Sequence, residues 1–391
     1  MQRIIISLTS YPARIHIVYK VIESLIKQKE KADEIILWLS ILEFPNRIDD
    51  LPENLRRMIG ENGFHIEWVK ENIKSHKKYF YALQDRKNII ITVDDDIYYS
   101  KTMVSTLISS YRKHPNAISA RNVHIITKQG EQLSPYLDWE GYTAEYIDAE
   151  RMDLCAIGVS GILYPPACST KRWFDINLII EYAQNQDDLW LKFNQVIDNI
   201  PVVYTGITEN DRVLEGSQDH ALYIQNANCG DNDKAIKKMS EQLENQYPTI
   251  YHRWFQDLMQ PDEMISVKRQ HFSQLLSSLL IQHKKQNIYI CGAGKYAHIL
   301  YKFIKSCGKE KYIKAFLVTQ KTQRKTEGNE IQIKLIQDLN DQESFCVICG
   351  VGRTYRQELN NALEPYKFHE WIDIDLQDIE RLLLLESKIN R

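Results

Sequence analysis

Ile89 to Val93 reads IIITV, and three aspartates, Asp94, Asp95 and Asp96, follow at once. A run with no polar alternation belongs to a strand covered on both faces. Such strands occur in mostly parallel sheets lined by helices, and the flanking sequence supplies the pieces. Ile4 to Leu8 reads as a first strand. Ile15, Val18, Tyr19, Ile22, Leu25 and Ile26 then recur at helical spacing over residues 15–28. Glu34 to Leu39 and Phe64 to Val69 read as the next strands, and Asn88 to Val93 as the fourth. A short helix is expected at 79–86, a longer one at 101–113, and a strand at 117–123. The expected class is α/β.

Beyond residue 130 the pattern loosens into SPYLDWEGYTAEY, then AIGVSGILYPP, a helix through DDLWLKFNQV and a short strand, PVVYT. Residues 233–283 are polar and helical in pattern, with breaks at Pro248 and Pro261. A fresh strand, Gly-rich turn and helix begins at Asn287 in NIYICGAGKYAHILYKFIKSCG. This predicts three parts: a domain over 1–235, a helical connector over 236–286, and a Rossmann-like α/β domain over 287–391.

Composition sets outer limits. Of 391 residues, 43% are hydrophobic and 26% charged, the balance of a globular protein. The net charge of −3 argues against a nucleic-acid coat. No apolar stretch approaches the ~20 residues that span a bilayer. MQRIIISLTSYPARI reads as a strand rather than a signal peptide. The expectation is a cytoplasmic protein with no nucleic-acid partner, peripheral association with the inner face of the membrane being left open. The seven cysteines are scattered and odd in number, which does not suit a disulfide framework. Cys346 and Cys349 form a C-x-x-C inside the apolar run FCVICG and are expected in the core.

The chemistry gathers around Asp94, Asp95 and Asp96. Adjacent carboxylates repel one another, so a cation or a metal-bound phosphate is their natural partner. They follow a buried strand, where ligand crevices of α/β sheets open. Ser7 to Arg14, SLTSYPAR, brings hydroxyls, backbone N–H groups and an arginine to the end of the first strand. That combination suits a diphosphate, while Ser10 could equally cap the helix that follows. His76-Lys77-Lys78-Tyr79 opens a helix leading back to the same crevice.

A strand ending in S-L-T-S-Y-P-x-R, a K-K-Y-x-x-A-L segment and D-D-D after an apolar strand together resemble the family 2-type bacterial glycosyltransferases of the GT-A fold, over about residues 1–235. The resemblance implies a nucleotide-diphospho-sugar donor, UDP-linked in the commonest form, bound with Mn²⁺ or Mg²⁺. It implies inverting transfer to a saccharide or lipid-linked saccharide of a bacterial surface polysaccharide. Carried over residue by residue, Thr9, Tyr11 and Arg14 form the first donor loop, with Lys78 (or Lys77) near the diphosphate. Asp96 and Asp94 take the metal, and Asp94 or Asp95 the ribose. Gly161, in Gly158-Val159-Ser160-Gly161, lies against the donor sugar. Asp188, with Asp187 as the alternative, is the general base. Trp139 is a candidate acceptor platform or a core residue, and His220 a candidate third metal ligand or a structural histidine. Trp38-Leu39-Ser40 lacks the acidic residue by which many relatives read the base.

Two other readings compete. A non-catalytic scaffold that binds nucleotide sugars should have lost one of the acidic pairs, and both are present. An NAD-dependent enzyme working through Gly292-Ala293-Gly294-Lys295-Tyr296-Ala297 should carry a ribose-binding acid about 20 residues on. The strand AFLVTQ ends instead in Thr319-Gln320.

Overall fold

The structure is a computed structural model and describes residues 2–141, 144–206, 211–215, 230–284, 286–320, 331–340, 344–351, 353–366 and 368–372. The chain divides into two compact units, Met1–Gln260 and Pro261–Arg391. His220 lies outside the described residues.

The first unit is built on an eight-stranded sheet. Its strands are β1 (Ile4–Thr9), β2 (Glu34–Ser40), β3 (Phe64–Val69), β4 (Ile89–Thr92), β5 (Ile118–Ala120), β6 (Glu150–Arg151), β7 (Ile162–Tyr164) and β8 (Val202–Tyr204). The spatial order is β3-β2-β1-β4-β7-β5-β8-β6. The first four run parallel. β7 is antiparallel to both β4 and β5, while β8 runs parallel to β5. The sheet is therefore mixed, with β7 reversed among strands that mostly run parallel, as the sequence pattern leads one to expect. Every residue of β4 is buried, as its unbroken apolar run requires. Ile6, Leu8, Leu37 and Ile91 join Val18, Val21, Ile22 and Leu25 of the first helix in one apolar cluster.

That helix, α1, spans Val18–Ile26, shorter than the apolar spacing predicts. Ser10 does not cap it: the chain first turns through Tyr11, whose carbonyl accepts from Arg14 N and Ile15 N. α2 (Met103–Lys113) follows β4. α3 (Ile176–Ala183) and α4 (Asp187–Asp198) precede β8. α5 (Asp231–Gln246) and α6 (Pro248–Asp257) lie within the first compact unit. Arg172 donates to Gln242 Oε1 at 2.9 Å, and the Trp254 indole to the Met152 carbonyl at 3.0 Å. Their apolar residues needed a partner, and the first sheet's surroundings supply it.

The second unit opens with α7 (Pro261–Gln282). It carries a wholly parallel sheet of β9 (Asn287–Cys291), β10 (Ile313–Val318), β11 (Ile333–Leu335), β12 (Phe345–Cys349) and β13 (Phe368–Ile372), ordered β11-β10-β9-β12-β13. α8 (Lys295–Ser306) follows β9 and α9 (Arg353–Leu363) follows β12. This is a nucleotide-binding type of architecture. Gly292 has φ +98°, and a β-carbon there would collide with Val351 Cγ1, so this glycine serves loop-to-loop packing. Cys346 and Cys349 are buried in β12. Among the described residues no helix is long and apolar enough to cross a membrane.

Candidate active site

β1, β4 and β5 point the same way, and β7 starts where they end. The loops after β1 and β4, the turn Gly158–Ser160 before β7, and Arg121 after β5 therefore share one edge of the sheet. Between β1 and β4 the strand order reverses direction, which is where such sheets open a crevice. The acidic turn lies there.

Arg14 bridges this turn. Its Nη1 lies 2.9 Å from Asp95 Oδ1 and 3.0 Å from Asp96 Oδ2. Ser10 Oγ, diverted from capping, donates to Asp95 Oδ2 at 2.5 Å. Burial and then Asp94 push the Asp96 carboxyl up to about 6, against the pull of Arg14. Asp95 is also raised by burial, with Arg14 and Ser10 opposing. The Leu214 amide donates to the Asp96 carbonyl at 2.8 Å, and Arg212–Val213 pairs with Ile97–Tyr98, so a later segment fastens the turn from outside. Buried Arg121 holds that segment through Asp211 at 2.9 Å and donates to the Ser160 carbonyl at 3.0 Å.

Lys78 joins the two acidic groups. Its Nζ is 2.8 Å from Asp94 Oδ1 and 2.8 Å from Asp187 Oδ2, and all three side chains are largely shielded from solvent. The turn Lys77–Phe80 holds this lysine in place: Ser7 Oγ donates to the Lys78 carbonyl, and the buried His76 ring bridges Tyr79 and the Ala183 carbonyl at the end of α3. Burial opposes the charge on Lys78, but Asp187 and Asp94 outweigh it and raise the ammonium well above its ordinary value. Lys77 is diverted elsewhere, 2.8 Å from Glu43.

Asp187 and Asp188 sit in the first turn of α4, where the helix dipole favours acids. Their surroundings separate them. Burial works against ionising Asp187, yet Lys78 and His76 outweigh it and hold that carboxyl below the ordinary range. Burial and then Asp187 push Asp188 up to about 7. Asp188 Oδ2 accepts from the Gly158 amide at 3.1 Å, while the buried Oδ1 has no hydrogen-bond partner. Asp94, Lys78, Asp187 and Asp188 are thus brought together around Gly158, a residue singled out by sequence only as part of a Gly-rich turn.

Other expected residues lie differently. Thr9 donates to the Trp38 carbonyl at 2.8 Å, binding β1 to β2. Tyr11 is half-buried with Arg14 over its ring. Gly161 faces Met103 and Leu107 of α2, and its φ of +94° is what requires glycine. Trp139 is 1% exposed and donates its indole N–H to the Ser134 carbonyl at 2.9 Å. It fills the core and offers no face to an acceptor. Arg121 was missed, because a buried arginine leaves no pattern in the sequence.

Among the described residues, no three His, Cys, Asp or Glu side chains are gathered in a metal-holding arrangement. Asp94, Asp95, Asp96, Asp187 and Asp188 outnumber Arg14 and Lys78, the cations paired with them, and one buried carboxylate oxygen has no partner.

No protein-family model and no curated protein matches the chain. Among solved structures, S. aureus TarS 1-349 in complex with UDP is 13% identical, covers 64% of this chain and 73% of its own, and has a TM-score of 0.32. 4-Diphosphocytidyl-2C-methyl-D-erythritol synthase is 11% identical over 57% of this chain and 97% of its own, with a TM-score of 0.33. Glucosyl-3-phosphoglycerate synthase from Mycobacterium tuberculosis, in complex with Mn²⁺, UDP and phosphoglyceric acid, is 9% identical over 62% of this chain and 78% of its own, with a TM-score of 0.31. Likenesses this loose do not assign an activity, which has to be argued from the site.

Proposed function

We propose that the first unit is a metal-dependent glycosyltransferase that takes a sugar from a nucleotide-diphospho-sugar, UDP-linked by the family resemblance, and inverts the anomeric centre. The observation that carries this reading is Asp188: its buried, unpartnered Oδ1 shares the surroundings of Gly158 with Lys78 and Asp94, and its carboxyl is raised to about 7. A base with that affinity for protons is matched to a hydroxyl at neutral pH. Asp188 accepts the acceptor's proton. The hydroxyl oxygen bonds to the anomeric carbon, the bond from that carbon to the diphosphate breaks, and the electron pair leaves with the diphosphate. Asp187 stays ionised against Lys78 and does not compete for the proton.

Asp94 and Asp96 are the residues that would hold Mg²⁺ or Mn²⁺, which when bound supplies charge stabilisation for the leaving diphosphate. Arg14 and Tyr11 face the same crevice from the first loop. The acceptor class that the resemblance carries is a saccharide, free or lipid-linked, of a bacterial surface polysaccharide. The test is a screen of nucleotide sugars for thermal stabilisation with and without Mn²⁺. A ligand at 100 times its dissociation constant adds about 2.7 kcal/mol. A screen in which no nucleotide diphosphate stabilises the protein under either condition rejects the reading.

A further inference from the structure

Tyr164 ends β7, and strand alternation fixes the face it belongs to. Leu163 and its cross-strand partner Ile91 join the apolar cluster on one side of the sheet, with Ile6 and Leu8 of β1. Tyr164, Thr92 and Ser7 therefore belong to the other side. That side carries the turn Lys77–Phe80, since Ser7 Oγ donates to the Lys78 carbonyl. Tyr164 is 0% exposed, and its hydroxyl has no hydrogen-bond partner. Packing alone asks only for a phenylalanine here. A buried hydroxyl left unpaired is a liability, and core tyrosines usually find a partner for theirs.

The complementary atom is Asp188 Oδ1, an acceptor that is buried and equally without a partner. The two groups share surroundings: of the charges near the Tyr164 hydroxyl, Asp188 acts on it most strongly, ahead of Lys78 and Asp187. Burial and then Asp188 raise that hydroxyl well above its ordinary value, so it keeps its proton and stays a donor. Thr92 Oγ1, on the same side of the sheet, is a third buried polar atom with no partner. Two to four such atoms are what a buried water needs.

We propose that Tyr164 is a positioning residue for the general base: its hydroxyl holds Asp188 Oδ1 through one buried water. This rests on the glycosyltransferase reading and extends it from the base to β7. The Gly158 amide already fixes Oδ2 at 3.1 Å. With Oδ1 held as well, the carboxylate cannot swing, and the remaining lone pair of Oδ1 stays aimed at the acceptor hydroxyl. Lys78 does not supply this hold, because it is paired with Asp94 and Asp187.

The experiment is a double-mutant cycle on the full chain, combining Tyr164→Phe with Asp188→Ala and read by denaturant unfolding at pH 8. Tyr164→Phe removes one atom and keeps the ring. Against wild type it shifts the unfolding equilibrium about tenfold toward the unfolded state, the scale of a hydrogen bond to a charged group. In the Asp188→Ala background it shifts that equilibrium less than about twofold. Asp188→Asn replaces the alanine background if that one melts early. Turnover gives the second reading: Tyr164→Phe lowers kcat about tenfold with the donor's KM unchanged, a split that lost packing does not produce. Equal shifts in both backgrounds overturn the proposal. So does a Tyr164→Phe protein more stable than wild type, the result expected of a hydroxyl that nothing engages. A folded Tyr164→Phe enzyme with full kcat overturns the positioning role. If wild type turns over no nucleotide sugar, the glycosyltransferase reading falls, while the cycle still decides whether this hydroxyl holds the carboxylate.

Discussion

The Gly158 amide donates to Asp188 Oδ2 at 3.1 Å, and a β-carbon on Gly158 would stand 2.8 Å from Lys78 Nζ and 3.4 Å from Asp188 Oδ1. The backbone thus closes over the charged group so tightly that a β-carbon there forces the Lys78 ammonium to shift. Gly158→Ala is expected to displace the flexible end of Lys78, cutting turnover at least tenfold with little change in melting temperature. Gly161→Ala should do the reverse, costing about 1–3 kcal/mol of stability through its positive φ. Melting curves and turnover on the two variants check this, and matching losses in both would remove the special role of Gly158.

Asp188→Asn should lower turnover by about 10²-fold or more, the usual scale for a general base. Nucleotide affinity should hardly move, since Asp188 acts only in transfer. Near-normal turnover in this variant would place the base elsewhere.

The pH dependence follows from the same carboxyl. Asp188 accepts a proton only when ionised, so the acid limb of kcat/KM should rise with pH and level off above about 7. Stability should run the opposite way. With its value raised in the folded state, Asp188 holds a proton that the unfolded chain has already released, so stability falls as pH climbs from about 4 to about 7. Asp187 is lowered by Lys78 against its burial, so its contribution is present at neutral pH and is lost on acidification. Denaturant unfolding at pH 5 and pH 8 checks the sign. Asp188→Asn should gain on wild type as pH rises, and a variant that instead loses ground would contradict the assignment.

Arg121 is fully buried and meets Asp211, Ser100 Oγ and the Ser160 carbonyl. Arg121→Met strips Asp211 of its cation in a nearly closed environment, the Ser100 amide still donating to it, and should cost about 3–5 kcal/mol, the usual penalty for breaking a buried pair from one side. A melting temperature within a degree or two of wild type would show that water relieves Asp211.

Why some of this was legible in the sequence follows from period and burial. IIITV announces β4 because a strand covered on both faces leaves no polar alternation to mistake. The acidic pair opening α4 was visible because helix starts favour acids. What stayed hidden depends on contacts far apart along the chain. Nothing local says that Ile162–Tyr164 enters between β4 and β5 in the reverse direction. Ser10 has the chemistry of a cap, and only the nearness of Asp95 diverts it. Trp139 looked like a sugar platform because an indole suits that task, but it equally suits the core once its N–H finds Ser134.

The insertion of β7 also bears on how the chain must be assembled. β1 to β4 leave the ribosome first and can pair among themselves, but the outer edge of β4 has no neighbour until Ile162–Tyr164 has been made. Until then an apolar strand presents an open row of N–H and C=O groups, the kind of edge that recruits another copy of itself. β5 is synthesised earlier than β7 and cannot close the gap, because its place is on β7's far side. A chain cut short before β7 therefore exposes IIITV as an adhesive border, and a stave made well after its two neighbours is what seals the middle of the sheet.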